Sequence, residues 1–358
     1  MNPLQALAVP IVQAPMSGAT TPRLVAAVSN AGGLGSLPGG YNDPATIREQ
    51  IAQVRALTER PFAVNLFVGE YTPPPAEVLQ RAHERLRRYR EELAIPHPDA
   101  PPVSATSFRA QFEVVVETRP AAFSFTFGIP PAEALARCRE LGIFTIGTAK
   151  TVAEAVALER AGVDAVCVQG YEAGGHHGAF LAPLAESLIG TLALVPQAVD
   201  AVSVPVLAAG GIGDGRGVAA VLALGAAAAQ VGSAFLLSDE SALPPASRRM
   251  LASEAARRTT LTTVFSGKHA RGVINRFIDE MTGAAEIAPY PYQNALTRDV
   301  RDAATAQERP ELLNLWSGQA VPLAKPLPAA EIVANLMREA RAAHDRAGAA
   351  LDRTPARR

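Results

Sequence analysis

Two adjacent histidines stand in the glycine-rich string QGYEAGGHHG (Gln169 to Gly178), which also carries Glu172. Histidine is the side chain whose ordinary pKa allows proton exchange or a mobile positive charge near neutrality. His176 is the candidate catalytic residue, because apolar packing does not require so much backbone freedom around a histidine. The competing role for either histidine is plain packing or a bond to a backbone carbonyl. A metal site finds no support, since adjacent histidines point apart and no further ligand cluster accompanies them.

Two other strings could hold an anion. AAGGIGDGRG (Ala208 to Gly217) and QVGSAF (Gln230 to Phe235) place glycine at a turn, where main-chain N–H groups can approach an oxygen with no Cβ in the way. The first runs into a helix whose N-terminus favours negative charge, and Ser233 adds a hydroxyl donor. No lysine lies in either string, so a phosphate monoester would be held by amides and by Arg216 at most. Gly210, Gly211, Gln230, Val231, Gly232 and Ser233 are therefore the candidate phosphate-end residues. Asn65 in FAVNLF and Gln169 offer amides that both donate to and accept from a heterocycle edge. Ala14, Pro15 and Met16, with Gln13 and Ser17, lie at or just beyond the end of the first strand, and Gly174 and Gly175 belong to the histidine loop. A flat heterocycle bearing one phosphate fits such a ring of groups, and flavin mononucleotide (FMN) is the expected cofactor.

These residues need a scaffold that brings many strand ends together. Short β-like runs at Ile11 to Ala14, Gly33 to Leu37, Phe62 to Phe67, Ala121 to Phe125, Phe144 to Gly147, Ala165 to Gln169, Pro205 to Ala209 and Ala227 to Val231 alternate with helical runs, several of which begin at proline. Glycine ends the helix and leads into the strand in NAGGLGS, ERAGVDAVCV and LALGAAAAQVG. The count and order predict an α/β fold, a (β/α)8 TIM barrel with its site at the C-terminal strand ends. Residues 1–238 with 317–358 form the expected barrel, and 239–316 a small, mostly helical inserted domain lining the substrate pocket, with Tyr290 and Tyr292 shaping it. The proline-rich strings TPPPAEV and IPHPDAPPV bracket a charged helix, Glu77 to Leu93, expected to lid the barrel mouth. An amphipathic helix from Ala329 to His344 closes the barrel, and the chain is expected to fray from Gly348.

The motifs PIVQAPMSG, NAGGLGSL, FAVNLF, QGYEAGGHHG, AAGGIGDGRG, QVGSAFLLSDES, FSGKHARGVINRF, YPYQN and LWSGQ, spread over nearly the whole chain, resemble those of the nitronate monooxygenases. The resemblance implies that Asn65, Gln169, Gly174, Gly211 and Gln230 to Ser233 bind FMN, and that His176 acts on substrate. It implies oxidation of alkyl nitronates such as propionate 3-nitronate by O2 to carbonyl compounds and nitrite. The alternative activity is that of related flavin barrels, NAD(P)H-dependent reduction of enoyl-thioesters or quinones. Two positions depart from the family's pattern: His177 stands where arginine is usual and Ser233 where threonine is common. The first bears on how a negative nitronate is attracted.

Composition narrows the partners to small molecules. Of 358 residues, 48% are hydrophobic and 19% charged, with net charge −1, so no long-range field draws in nucleic acid. The arginines from Arg81 to Arg90, interspersed with Glu84, read as a solvated helix face. Cys138 and Cys167 belong to no metal or disulfide pattern, and Met1 to Pro10 lacks a basic segment leading an apolar one, so a cytoplasmic location is expected. The apolar stretch Val218 to Leu237 is broken by Gly225 and Gly232 and reads as helix, turn and strand rather than a membrane span. A homo-oligomer is left open.

Overall fold

A computed structural model describes residues 2–69, 71–100, 102, 107–283 and 286–352. In chain order the strands are β1 (Ile11–Gln13), β2 (Gly35–Pro38), β3 (Phe62–Phe67), β4 (Ala122–Thr126), β5 (Phe144–Ala149), β6 (Ala165–Gln169), β7 (Gly175–His176), β8 (Val206–Ala209), β9 (Ala228–Val231), β10 (Thr259–Thr262) and β11 (Ala270–Val273). Eight of them pair in parallel in the order β1-β9-β8-β6-β5-β4-β3-β2. A bridge between Val12 and Leu34 joins the two ends and closes the barrel. Each barrel strand lies within two residues of the span expected from sequence.

Alternation along the strands builds two layers, because successive side chains point to opposite faces. Ile11, Val64, Phe123, Val166 and Val231 face outward into a core shared with the surrounding helices. Val12, Ala63, Ala122, Ile146, Cys167 and Leu207 fill the barrel interior, against which Leu4 and Leu7 pack. The interior is thus solid, and only the mouth is left to bind a ligand.

Local chemistry starts and stops the helices as the sequence suggests. Thr21 and Asp43 cap the helices Pro22–Asn30 and Pro44–Leu57 with side-chain acceptors, each just ahead of a first-turn proline. Gly162 ends Val152–Ala161 in a left-handed conformation, with φ 87°. The apolar stretch from Val218 resolves into the helix Gly215–Ala223 and strand β9. Among the described residues no helix is long and apolar enough to cross a membrane. The last helix, Ala329–Leu351, runs through Gly348, so the chain does not fray there; residues 353–358 lie outside the described ones.

A second core sits over the mouth. Ala82, Leu86, Tyr89 and Leu93, from the helices Ala76–Arg85 and Arg87–Glu92 and the residue that follows them, pack with Phe265, Phe277, Leu296, Val300 and Leu312. Arg90 corrects the expectation of a solvated arginine face, because its side chain is 1% exposed. Its guanidinium holds Asp299 through Nε at 2.7 Å, the His83 carbonyl at 3.1 Å and the Leu296 carbonyl at 3.0 Å. One buried cation therefore ties the charged helices to the helix Arg298–Ala306. Removing the buried Arg90 strands the two carbonyls and the part-exposed Asp299, at a cost of about 2 kcal/mol. Arg90→Met should lower the free energy of unfolding by about that much in urea titration. Arg48→Met, which breaks a pair with Glu117 whose side chains are 48% and 54% exposed, should change it by less than about 0.5 kcal/mol.

Candidate active site

The mouth of the barrel opens into a cavity of about 690 Å³. Its wall includes Ala14, Pro15 and Met16 after β1, Asn65 on β3, and Gln169, Gly174, Gly175 and His176 at and beyond β6. Gly210 and Gly211 after β8 join it, with Gln230, Gly232 and Ser233 at and beyond β9. Of the residues expected from sequence, Val231 stays out of the wall, as do Gln13, Arg216, Tyr290 and Tyr292. Val231 is fully buried in the outer core, and its carbonyl accepts from the Ala14 amide at 2.8 Å.

At the glycine turns the main chain is presented to the cavity. Gly210 and Gly211 adopt φ of 103° and 74°, which L side chains rarely take. Among the described residues the N–H groups of Gly210, Gly211, Gly232 and Ser233 find no protein acceptor. Donors left open toward a cavity suit an anion such as a phosphate monoester. Two details depart from the sequence reading. The N-terminus of Gly215–Ala223 is already taken by carboxylates, with Asp214 accepting from Arg216 N at 2.9 Å and Glu339 from Gly215 N at 3.1 Å. Arg216 is bound to Asp214 on the surface and is absent from the cavity wall, because the capping carboxylate beside it is its nearest counter-charge. The cradle therefore consists of glycine-turn amides alone, with the Ser233 hydroxyl accepting from Gly318 N at 2.8 Å.

The histidine loop is gripped from two sides. From the barrel, the Gln169 side chain donates to the His176 carbonyl at 3.0 Å and accepts from Gly178 N at 3.1 Å. Beneath it, the buried Lys150 ammonium donates to the Gln169 carbonyl at 2.6 Å. From the other side, β7 pairs antiparallel with β11, His176 opposite Ala270, in a three-stranded sheet β10-β11-β7. Gly174 lies so close to Ser317 and Gly318 that a Cβ there would strike their backbone. Gln319 N then donates to the Glu172 carbonyl at 3.0 Å. Glu172 itself accepts from Thr191 N and Oγ1, so it serves the loop and does not point into the cavity.

His176 is set among aromatic rings. Its imidazole lies 5.7 Å from Tyr290, 5.8 Å from Phe127 and Trp316, and 6.3 Å from Tyr41 and Phe67, centroid to centroid. Its Nε2 meets Ser266 Oγ at 2.9 Å. Burial, together with the positive charges of Lys268 and Arg301, pushes its pKa down to about 3, so the ring is neutral over the whole physiological range. Lys268 is held close by its ammonium, 4.5 Å from the centre of the Phe127 ring.

His177 faces the other way. It is 2% exposed, does not reach the cavity, and its Nε2 pairs with the Ala173 carbonyl at 3.2 Å. His177, the position at which the sequence departs from the pattern it resembles, is thus a packed residue behind the loop. Tyr292 is also elsewhere, its hydroxyl donating to the Tyr71 carbonyl at 3.1 Å within the second core. Sequence reading missed Ser266, Tyr41, Phe67 and Phe127. The last three stand at or just beyond the ends of β2, β3 and β4, the same kind of position that flagged Asn65 and Gln169 for their polar side chains.

Known proteins fit this geometry. The family model described as nitronate monooxygenase matches residues 1–339. A probable nitronate monooxygenase of Staphylococcus aureus is 43% identical over 332 residues, covering 92% of this chain and 94% of the relative. Among solved structures, a nitroalkane oxidase from Streptomyces ansochromogenes superposes with TM-score 0.90 at 38% identity, over 97% of this chain and all of that one. FabK from Thermotoga maritima superposes with TM-score 0.76 at 28% identity, over 97% of each chain. The chain belongs to the nitronate monooxygenase family and is an oxidoreductase.

Proposed function

We propose that the protein is an FMN-dependent monooxygenase that oxidises alkyl nitronates with O2 to carbonyl compounds and nitrite. One observation carries the reading: a single cavity joins a cradle of unpartnered glycine-turn amides to a neutral, ring-enclosed histidine. Amides of Gly210, Gly211, Gly232 and Ser233 would take the FMN phosphate. Ala14, Pro15 and Met16 would border the ring system, Asn65, Gln169 and Gln230 would meet its polar edge, and Gly174 and Gly175 would let the loop approach it. FMN, when bound, supplies the electron transfer between nitronate and O2.

The protein's own part is to bind, orient and hold charge. His176, fixed by Ser266 and by the Gln169 grip on its carbonyl, would hold the nitro group and remove the α-proton where a neutral nitroalkane enters. The aromatic rings of Tyr41, Phe67, Phe127, Tyr290 and Trp316 crowd the imidazole, and the lobe of residues 239–316 would cover the substrate. Ser266 accepts in turn from Lys268 N at 3.4 Å and donates to the Lys268 carbonyl at 3.0 Å, so its orientation is set by its own turn.

Three outcomes follow. The purified protein should be yellow and consume O2 with release of nitrite on propionate 3-nitronate, and NADPH should not bleach it; bleaching by NADPH without nitrite release would select the reductase alternative. His176→Asn should retain FMN and lose at least about a hundredfold in kcat, the scale of one positioned acid–base group, and unchanged nitrite production would sink the assignment. The sign of the shift at His176 sets the third. A depressed pKa leaves the imidazole neutral until the pH falls toward about 3, so its ring resonances in NMR should stay still from pH 8 to pH 5. A titration centred near 6.5, the ordinary histidine value, would contradict the buried setting.

A further inference from the structure

Among the described residues, the largely covered guanidinium of Arg301 in the cavity wall has no ion-pair partner. Arg301 lies on the helix Arg298–Ala306. Its Nε donates to the Thr297 carbonyl at 3.3 Å, and its Nη2 to the carbonyl and Oδ1 of Asn294 at 2.8 and 3.1 Å. Among the described residues Nη1 makes no hydrogen bond, and no carboxylate lies within 4.0 Å of the group. Two carboxylates of its own helix act on it from beyond that distance: Asp302, exposed in the cavity wall, and Asp299, engaged by Arg90. Cations removed from water are ordinarily paired, so an unpaired one facing a cavity calls for an anion from outside.

The surroundings say where that anion sits. The charge of Arg301 acts on both the Tyr41 phenol and the His176 imidazole. Tyr41 lines the same cavity, its ring 6.3 Å from that of His176, and its covered hydroxyl, which has the Tyr290 hydroxyl as its polar neighbour, meets no partner in full hydrogen-bond geometry among the described residues. Arg298, exposed on the same wall, adds a second positive charge. The glycine-turn amides already provide a separate place for phosphate. A guanidinium edge matches a planar group with two oxygens, a geometry that carboxylate and nitronate share.

We propose that Arg301, with Tyr41 of the same wall, binds a planar two-oxygen anionic group of the substrate on the His176 side of the cavity. The inference rests on the nitronate reading and names residues that select the substrate. It makes Arg301 a specificity residue, since it decides which anions are retained near His176.

Butyrate, a two-oxygen anion that is not oxidised, is the probe, titrated calorimetrically into the flavin-loaded enzyme. Arg301→Met should weaken butyrate binding at least about tenfold, the loss of one charge-assisted contact, and Tyr41→Phe by a smaller factor. Arg301→Lys should restore part of the affinity, which a purely structural role would not predict. In a second arm, kcat/KM is compared for propyl-1-nitronate and propionate 3-nitronate. Equal losses in Arg301→Met assign the guanidinium to the nitronate, and a loss confined to the carboxylated substrate assigns it to the tail. Butyrate binding that is absent in the wild type or unchanged in both Arg301→Met and Tyr41→Phe would overturn the proposal, as would release of flavin from Arg301→Met. A wild type that binds butyrate through Arg301 but oxidises neither nitronate would leave the anion site standing and remove the nitronate reading.

Discussion

The loop from Gln169 to Gly178 must be held from both sides at once, and the active-site geometry depends on how that is done. Its backbone polar groups cannot be left unpaired in a covered site. Gln169 satisfies two of them from the barrel, and β11 satisfies others from above. Between them, Gly174 lets the backbone of Ser317 and Gly318 come to a distance that any side chain would forbid. His176 inherits its position from these contacts rather than from bonds of its own, of which Ser266 supplies the single side-chain one.

Polarity is divided along the cavity. At the glycine turns the main chain offers donors without charge, which can hold an anion at little desolvation cost. Around His176 the surroundings are aromatic, and low polarity there works against any charged imidazole. Lys268 and Arg301 push the same way, because a nearby positive charge disfavours a second one. A negatively charged ligand would thus meet positive side chains and an imidazole that stays neutral.

Much of this was legible in the sequence, and the physical reason is locality. Strand alternation, first-turn prolines and helix-ending glycines are short-range signals, and they placed all eight barrel strands. Residues at the ends of those strands, Asn65, Gln169, Gly210 and Gly211, then converge by closure of the barrel alone. What was not legible depends on contacts distant in sequence. Arg90 looks like a surface residue until Asp299, 209 positions later, comes to meet it. Ser266 acquires a role through His176, 90 positions away. Arg216 failed for the opposite reason, since its partner Asp214 is two residues off and takes it first.

The three-stranded sheet that contains His176 has an evolutionary consequence. In many barrels an insertion between the last strand and the last helix behaves as a cassette, exchangeable because its contacts stop at the loops that carry it. Here the cassette hydrogen-bonds strand to strand with the loop after β6, and that loop bears the candidate catalytic group. Recombination could not move the upper lobe to another barrel without carrying Gln169 to Gly178 with it. The two segments, about a hundred residues apart in the chain, are inherited as one unit or lose the site together.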